Sequence, residues 1–235
     1  MKKVASLLSL VIILIITASP NLFSQQKKFY VGLQGGVFLP SSDVISGYQT
    51  TYYSNGSPYA LSAPGFGTGG DINIRFQYFS SNLGIHFDGG ARILHRSVTM
   101  ALAPDGDKEE FDNTLNLFPV EFGLVYRFVS EPEVATPYYS VGICGYYGTM
   151  EMKHYVENGI HDWVAGNTFS MGIYHALGIY IAIYHDLLFN AEIKMNFAKG
   201  TWNLEDQNEG IDETTKLEKL DTGGTAFKLG LAFRF

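Results

Sequence analysis

The sequence predicts an all-β chain: a closed antiparallel up-and-down transmembrane β-barrel of about eight strands. Three observations carry this expectation. First, the stretch from Thr225 sets Phe227, Leu229, Leu231, Phe233 and Phe235 against Ala226, Lys228, Gly230, Ala232 and Arg234. That is a strand period of two, whose large apolar face suits lipid and whose small and charged face suits an interior. Second, seven earlier stretches repeat the pattern. Third, the connections between them run long, short, long, short, long, short, long, as in a barrel with short turns on one side of a membrane and longer loops on the other. Backbone groups cannot be left unpaired in hydrocarbon, so such strands need neighbours on both edges, and the sheet must close on itself.

Composition agrees with this reading and excludes some others. At 235 residues, with 46% apolar residues, Gly 26, Tyr 15 and Phe 17, the chain can bury a core and is no disordered polymer. The mean hydropathy of +0.03 conceals a lipid face, because every second residue of a barrel strand is small or polar. The net charge of −7 becomes two units more negative if Lys2 and Lys3 leave with a leader. No nucleic-acid partner is expected of such a chain. A lone cysteine, Cys144, allows neither an internal disulfide nor a thiolate metal cluster.

The chain opens on Met1-Lys2-Lys3, an apolar run from Leu7 to Ala18, and a polar break to Ser24 before Gln25. This order predicts a signal peptide over 1–24 and a barrel domain over 25–235; the run of about 12 residues is shorter than the roughly 20 a membrane helix needs. The first strand sets Phe29, Val31, Leu33, Gly35, Val37 and Leu39 against Tyr30, Gly32, Gln34, Gly36 and Phe38, and Pro40 ends it. A long loop over 41–64 follows, rich in Ser, Tyr, Asn, Gly and Pro. In the second strand Ile72, Ile74, Phe76 and Tyr78 oppose Asp71, Asn73, Arg75 and Gln77. A tight turn at Ser80-Ser81-Asn82 leads to the third, where Leu83, Ile85, Phe87, Gly89, Ala91 and Ile93 oppose His86, Asp88, Gly90 and Arg92.

After a second loop over 97–114, the fourth strand places Phe118, Val120, Phe122, Leu124, Tyr126 and Phe128 outward, with Glu121 and Arg127 inward. Pro119 belongs near its start or at a bulge. A short connection over 129–136 precedes the fifth strand, Pro137 to Tyr147. A third loop covers 151–167. The sixth strand runs from Thr168 to about Tyr184 and turns at His185-Asp186. The seventh sets Leu187, Phe189, Ala191, Ile193, Met195 and Phe197 against Asn190, Glu192, Lys194 and Asn196. An acidic loop over 199–224 leads to the closing strand.

At Phe118-Pro119-Val120 and the alternation to Phe128, at Pro137-Tyr138-Tyr139 with Gly142, and at the terminal Phe235, the chain resembles the small eight-stranded bacterial outer-membrane barrels, the OmpA, OmpX and OmpW-like group. The resemblance covers essentially all of the sequence after the leader. It implies an integral outer-membrane location, periplasmic short turns and termini, and an assembly machinery that reads the aromatic end. Phe235 is the expected assembly signal. No peptidoglycan-binding domain follows the last strand, so the anchoring role of longer OmpA-type proteins is not expected.

Parity places Asp71, Asp88, Glu121 and Glu192 inside with Arg75, Arg92, Arg127, Lys194, Lys228 and Arg234. This is a near-balanced charge set that predicts a packed polar interior, and counting from the short turns sets the four acids near mid-height, Arg75, Arg127 and Arg234 below them, and Arg92, Lys194 and Lys228 level with or above them. His161-Asp162 with Ser170 invites comparison with barrel enzymes acting at the outer rim, but no lipid A deacylase or palmitoyltransferase pattern accompanies it, so these read as loop residues. His175 falls by parity among lipid-facing residues. A bulge, a different register, a neutral histidine near the interface, or a ligand or oligomer contact would each account for it. Asp206, Asn208, Gly210 and Asp212 lack calcium-loop spacing. Gly65-Phe66-Gly67-Thr68-Gly69-Gly70 lacks the following Lys of a phosphate loop. Asn55-Gly56-Ser57 matches a glycosylation sequon without bacterial meaning. Cys144 is an inward packing residue.

The expected function is that of a non-enzymatic integral outer-membrane barrel presenting long extracellular loops for surface interaction or envelope structure. The alternatives are a conduit for small or hydrophobic solutes, as in OmpW-like barrels, and a rim-located lipid-modifying enzyme. The expected partners are outer-membrane lipid, the assembly machinery and an extracellular ligand. No cofactor and no metal is expected.

Overall fold

The computed structural model describes residues 28–41, 49–54, 57–62, 67–101, 108–128, 134–156, 159–206 and 214–235. The segment 1–24, expected to be a leader, lies outside them. Among the described residues eleven strands follow one another: β1 Lys28–Pro40, β2 Gln49–Ser54, β3 Ser57–Ser62, β4 Gly69–Ser80, β5 Leu83–Ala101, β6 Lys108–Arg127, β7 Ala135–Val156, β8 Gly159–Tyr184, β9 Leu187–Asp206, β10 Thr214–Asp221 and β11 Gly224–Arg234. Eight of them form a closed antiparallel ring in the order β1-β4-β5-β6-β7-β8-β9-β11, with β11 pairing back onto β1.

Closure removes every sheet edge from the spanning region, as a strand wall in lipid demands. The seam between β11 and β1 runs from Pro40 opposite Gly224 to Tyr30 opposite Arg234. It ends on a reciprocal pair in which Phe235 N–H donates to Phe29 O (2.8 Å) and Phe29 N–H donates to Phe235 O (3.3 Å). The Phe235 ring lies against Phe29 and Phe233. Phe235→Ala keeps these backbone bonds and removes the ring. Refolding into detergent is therefore expected to stay near wild type, while the folded, heat-modifiable fraction in cells falls. An unchanged cellular fraction would remove the support for Phe235 as an assembly signal.

The turns at 81–82 and 185–186, the start of β1 and the end of β11 share one end of the barrel, called here the near end. At the two-residue turns Ser81 (φ 61°) and His185 (φ 31°) take left-handed φ, as tight hairpin turns require. The far end departs from the expected long loops. Much of the segment over 97–114 is strand, since β5 continues to Ala101 and β6 begins at Lys108; likewise β7 reaches Val156 and β8 begins at Gly159. The acidic segment holds the end of β9 and all of β10, which pair with each other. Beyond the hydrocarbon neither sheet face has to be apolar, so the ladder continues after its period-two signal has vanished. The first loop contains the β2–β3 hairpin flanking Asn55-Gly56, a dipeptide that favours hairpins and is better read that way than as a sequon.

The burial pattern is that of a membrane wall, alternating strictly along β4. Leu33, Ile72, Ile93, Val120, Ile173, Phe197 and Leu229 are among the large apolar side chains half or more exposed on the outer face, whereas Asp88, Arg92, Glu121 and Lys194 are fully buried inside. A water-facing sheet would have the opposite arrangement. Gly123 and Gly142 pair across β6 and β7 and leave room for the Tyr174 hydroxyl above them.

Candidate functional site in the barrel interior

The inward side chains form three layers. At the near end Tyr30, Phe79, Val125, Tyr138, Tyr180, Leu188 and Ala232 pack into one apolar cluster. Toward the far end Phe38, Leu94, Leu115, Leu117, Tyr146, Met150 and Tyr174 pack, with smaller residues including Cys144, into another. Between them lie four carboxylates and four cations. The eight-stranded lumen is narrow enough for side chains to fill.

Two arginines and two lysines organise the middle layer. Arg75 forks to two acids at once. Its Nε and Nη2 donate to Asp88 (2.8 and 2.6 Å), and its Nη1 and Nη2 donate to Glu192 (2.5 and 2.9 Å). Planar guanidinium geometry permits this bidentate bonding. Tyr138 Oη accepts from Arg75 (3.0 Å) and donates to Glu192 (2.8 Å), which ties the near-end cluster to the charges. Lys194 Nζ lies 2.9 Å from Asp88, 2.5 Å from Glu121 and 3.5 Å from Glu192, and stands over the Tyr174 ring at 4.9 Å. Arg92 donates to Asp71 (2.7 Å), Glu121 (3.3 Å) and Tyr146 Oη (3.1 Å), and its guanidinium lies over the Phe38 ring at 4.6 Å. Lys228 Nζ is 3.6 Å from Asp71 and makes no hydrogen bond among the described residues, so its hold is coulombic.

The structure brings together eight of the ten charged residues that parity places inside, and it sets the other two lower, Arg127 buried as parity has it and Arg234 at the rim. Arg127 is buried at the near end, where it donates to Tyr30 Oη (3.0 Å) and to Ser81 O and lies 4.2 Å over the Phe79 ring. Arg234 sits at the near rim, where it pairs with Asp186 (3.2 Å) and donates to His185 O (3.1 Å). Both leave the carboxylate layer because they fall at the strand ends, and a side chain cannot cross the aromatic layer between. Parity gave the face; height decided the partner.

Tyr138, Tyr146, Tyr174 and Phe38 share this parity, but no formal charge marks them in the sequence as members of the layer. His86 is another such residue, bonded to Tyr174 Oη and stacked on its ring. Cys144 is buried on the inward face and unpaired. Ser170 is also inward, bonded to Thr222 Oγ1 at 2.6 Å, and it stands nine positions along β8 from His161, roughly 30 Å on an extended strand. The His161–Ser170 pairing is thereby excluded. Among the described residues no group of three or more His, Cys, Asp or Glu is placed to hold a metal ion; residues 207–213, with Asn208, Gly210 and Asp212, lie outside them.

His175 lies on the lipid face. The β7–β8 register is continuous through His175 opposite Val141, so neither a bulge nor a different register explains it. Its Nδ1 is 2.5 Å from Tyr139 Oη.

The architecture recurs in solved structures. The chain is similar to the outer membrane protein OprG of Pseudomonas aeruginosa at 10% identity, with 91% of this chain and 98% of that one covered and a TM-score of 0.57. It is similar to a major outer membrane protein of Thermus thermophilus at 10% identity, with 90% and 100% covered and a TM-score of 0.55. No family model and no curated protein matches it. At such identity the likeness is one of fold, and the fold is that of the small outer-membrane barrels.

Proposed function

Taking as premise an eight-stranded barrel of the outer-membrane type, we propose that the protein is a non-enzymatic integral barrel of the bacterial outer membrane. In this reading it is closed to ions, and its far-end strands and loops form a contact surface outside the cell. The observation that carries this reading is the filled lumen, in which four acids and four cations are paired between two apolar clusters. A void lined by Tyr30, Gln34, Arg75 and Asn190 measures about 10 Å³, room for about one water. A conduit would need a continuous path past these groups. The tall far-end wall of β5 to β9, built of strands of 19 to 26 residues against 11 to 13 in β1, β4 and β11, supplies the surface. Short turns and chain ends then face the periplasm, where the assembly machinery would meet Phe235. Outer-membrane lipid covers the belt, and the extracellular ligand binds the wall.

Planar-bilayer recording tests closure. The refolded protein is expected to give no steady, large ohmic conductance; a stable open level would replace the display reading with a solute conduit. Exchange of the far-end loops should then abolish binding of cells or matrix while heat-modifiable migration stays unchanged.

A further inference from the structure

The lipid-facing wall carries one feature that lipid does not satisfy. His175 lies near the middle of the β8 apolar run that extends from Phe169 to Ile183, hence near the middle of the hydrocarbon. Its Nδ1 is bonded to Tyr139 Oη, and its ring packs edge-on to Phe197 at 6.4 Å. Whichever tautomer makes that bond, Nε2 remains a donor or an acceptor without a partner among the described residues. Acyl chains offer it none. Polar groups at this depth are costly, and they recur where a protein surface or a pathway meets them.

The same wall is hollowed. A groove of about 670 Å³ runs half-way round the ring along one row of cross-strand partners, Gly35, Leu229, Ala191, Ile179 and Pro137 from β1 to β7, and so passes over β9 and β8. Three of these five side chains are small or cyclic, and the neighbouring row ends at Tyr139 opposite Leu177. Small residues let backbones approach inside a membrane, and hydrogen bonds add to the packing.

We propose that the β7–β8–β9 wall is an intramembrane interface with a second copy of this chain. A two-fold axis along the membrane normal keeps both copies at one depth, so the imidazole of one meets the phenol oxygen of the other and the contact is made twice. The stretch of that groove lined by Leu177, Ile179, Ala191 and Ile193 receives apolar side chains from the mate. A lipid has no polar group at this height to offer, and an identical chain brings one there by symmetry.

The test uses the full-length protein in native membranes. Wild type has only the buried Cys144. Ile173→Cys places a thiol on the proposed interface, and Ile74→Cys places one on β4, four strands round the ring, where Ile74 is equally lipid-facing. With a short membrane-permeant bismaleimide, a band of doubled mass is expected for Ile173→Cys and absent for Ile74→Cys and wild type. Adding His175→Phe and Tyr139→Phe should lower its yield about tenfold at equal expression, the effect of one 1.4 kcal/mol step on an equilibrium. Equal crosslinking at Ile74 and Ile173, or no doubled band at Ile173, would overturn the proposal. So would native mass spectrometry showing a monomer with a bound lipid that the double variant loses. The proposal rests on the membrane-spanning reading, which heat-modifiable migration in the membrane fraction checks independently. A folded, membrane-embedded monomer defeats the interface alone.

Discussion

Lys194→Met is expected to lower the unfolding free energy of the barrel by about 3–5 kcal/mol, because it leaves buried carboxylates without their shared cation. The ammonium is within 4 Å of Asp88, Glu121 and Glu192, and all four side chains are completely buried. Asp88 and Glu192 retain Arg75, but Glu121 retains only Arg92 at 3.3 Å. Methionine has a similar length and fills the space, so the loss isolates charge from packing. Urea unfolding in lipid vesicles, followed by gel migration, measures it. The sign of the interaction is checked by Lys194→Met with Glu121→Gln, which removes one cation and one anion together. The double variant should be more stable than the sum of the two single losses. Strict additivity would mean that the two groups are not coupled and that the middle layer is only a set of solvated side chains.

The second large effect is steric. A methyl group on Gly123 would fall well inside contact distance of Tyr174 Oη and Val141 O, and 2.9 Å from Gly142 Cα. Tyr174 can give way only by leaving His86, since its hydroxyl is bonded there. The backbone of β7 cannot give way without breaking the ladder. Gly123→Ala is therefore expected to cost about 1–3 kcal/mol, the usual range for overpacking, and to lower the refolding yield. Tyr174→Phe in the same chain should restore only part of the loss, because it removes the hydroxyl and leaves the two backbone contacts. Complete restoration would show that the strands separate freely and that the glycine pair is not needed for their approach. Gly70, whose added methyl group meets nothing within 4 Å, is the matched control.

The sequence by itself determined the ring. Each of the eight wall strands was legible because lipid on one side and a filled lumen on the other force a period of two, and a one-residue slip would expose charges such as Asp88 or Lys194 to hydrocarbon. It also determined which residues face inward, including the eight charges of the middle layer, because parity follows from the pleat alone.

Tertiary structure decided the rest. Height around a tilted ring depends on the register of every strand pair, so counting from the short turns sets Arg127 and Arg234 below the acids, but only the closed barrel gives Lys194 three carboxylates and Arg127 the Tyr30 hydroxyl. The aromatic layers belong to the same decision, since Tyr138 and Tyr174 acquire their roles from glycines and charges on other strands. Outside the membrane the two faces of the sheet meet similar surroundings, the period-two signal fades, and strands such as the upper parts of β7 and β8 read as loop. His175 shows both limits. Its parity was plain in the sequence, but its bond to Tyr139, on a strand 36 residues away in the chain, exists only because β7 and β8 pair in one particular register.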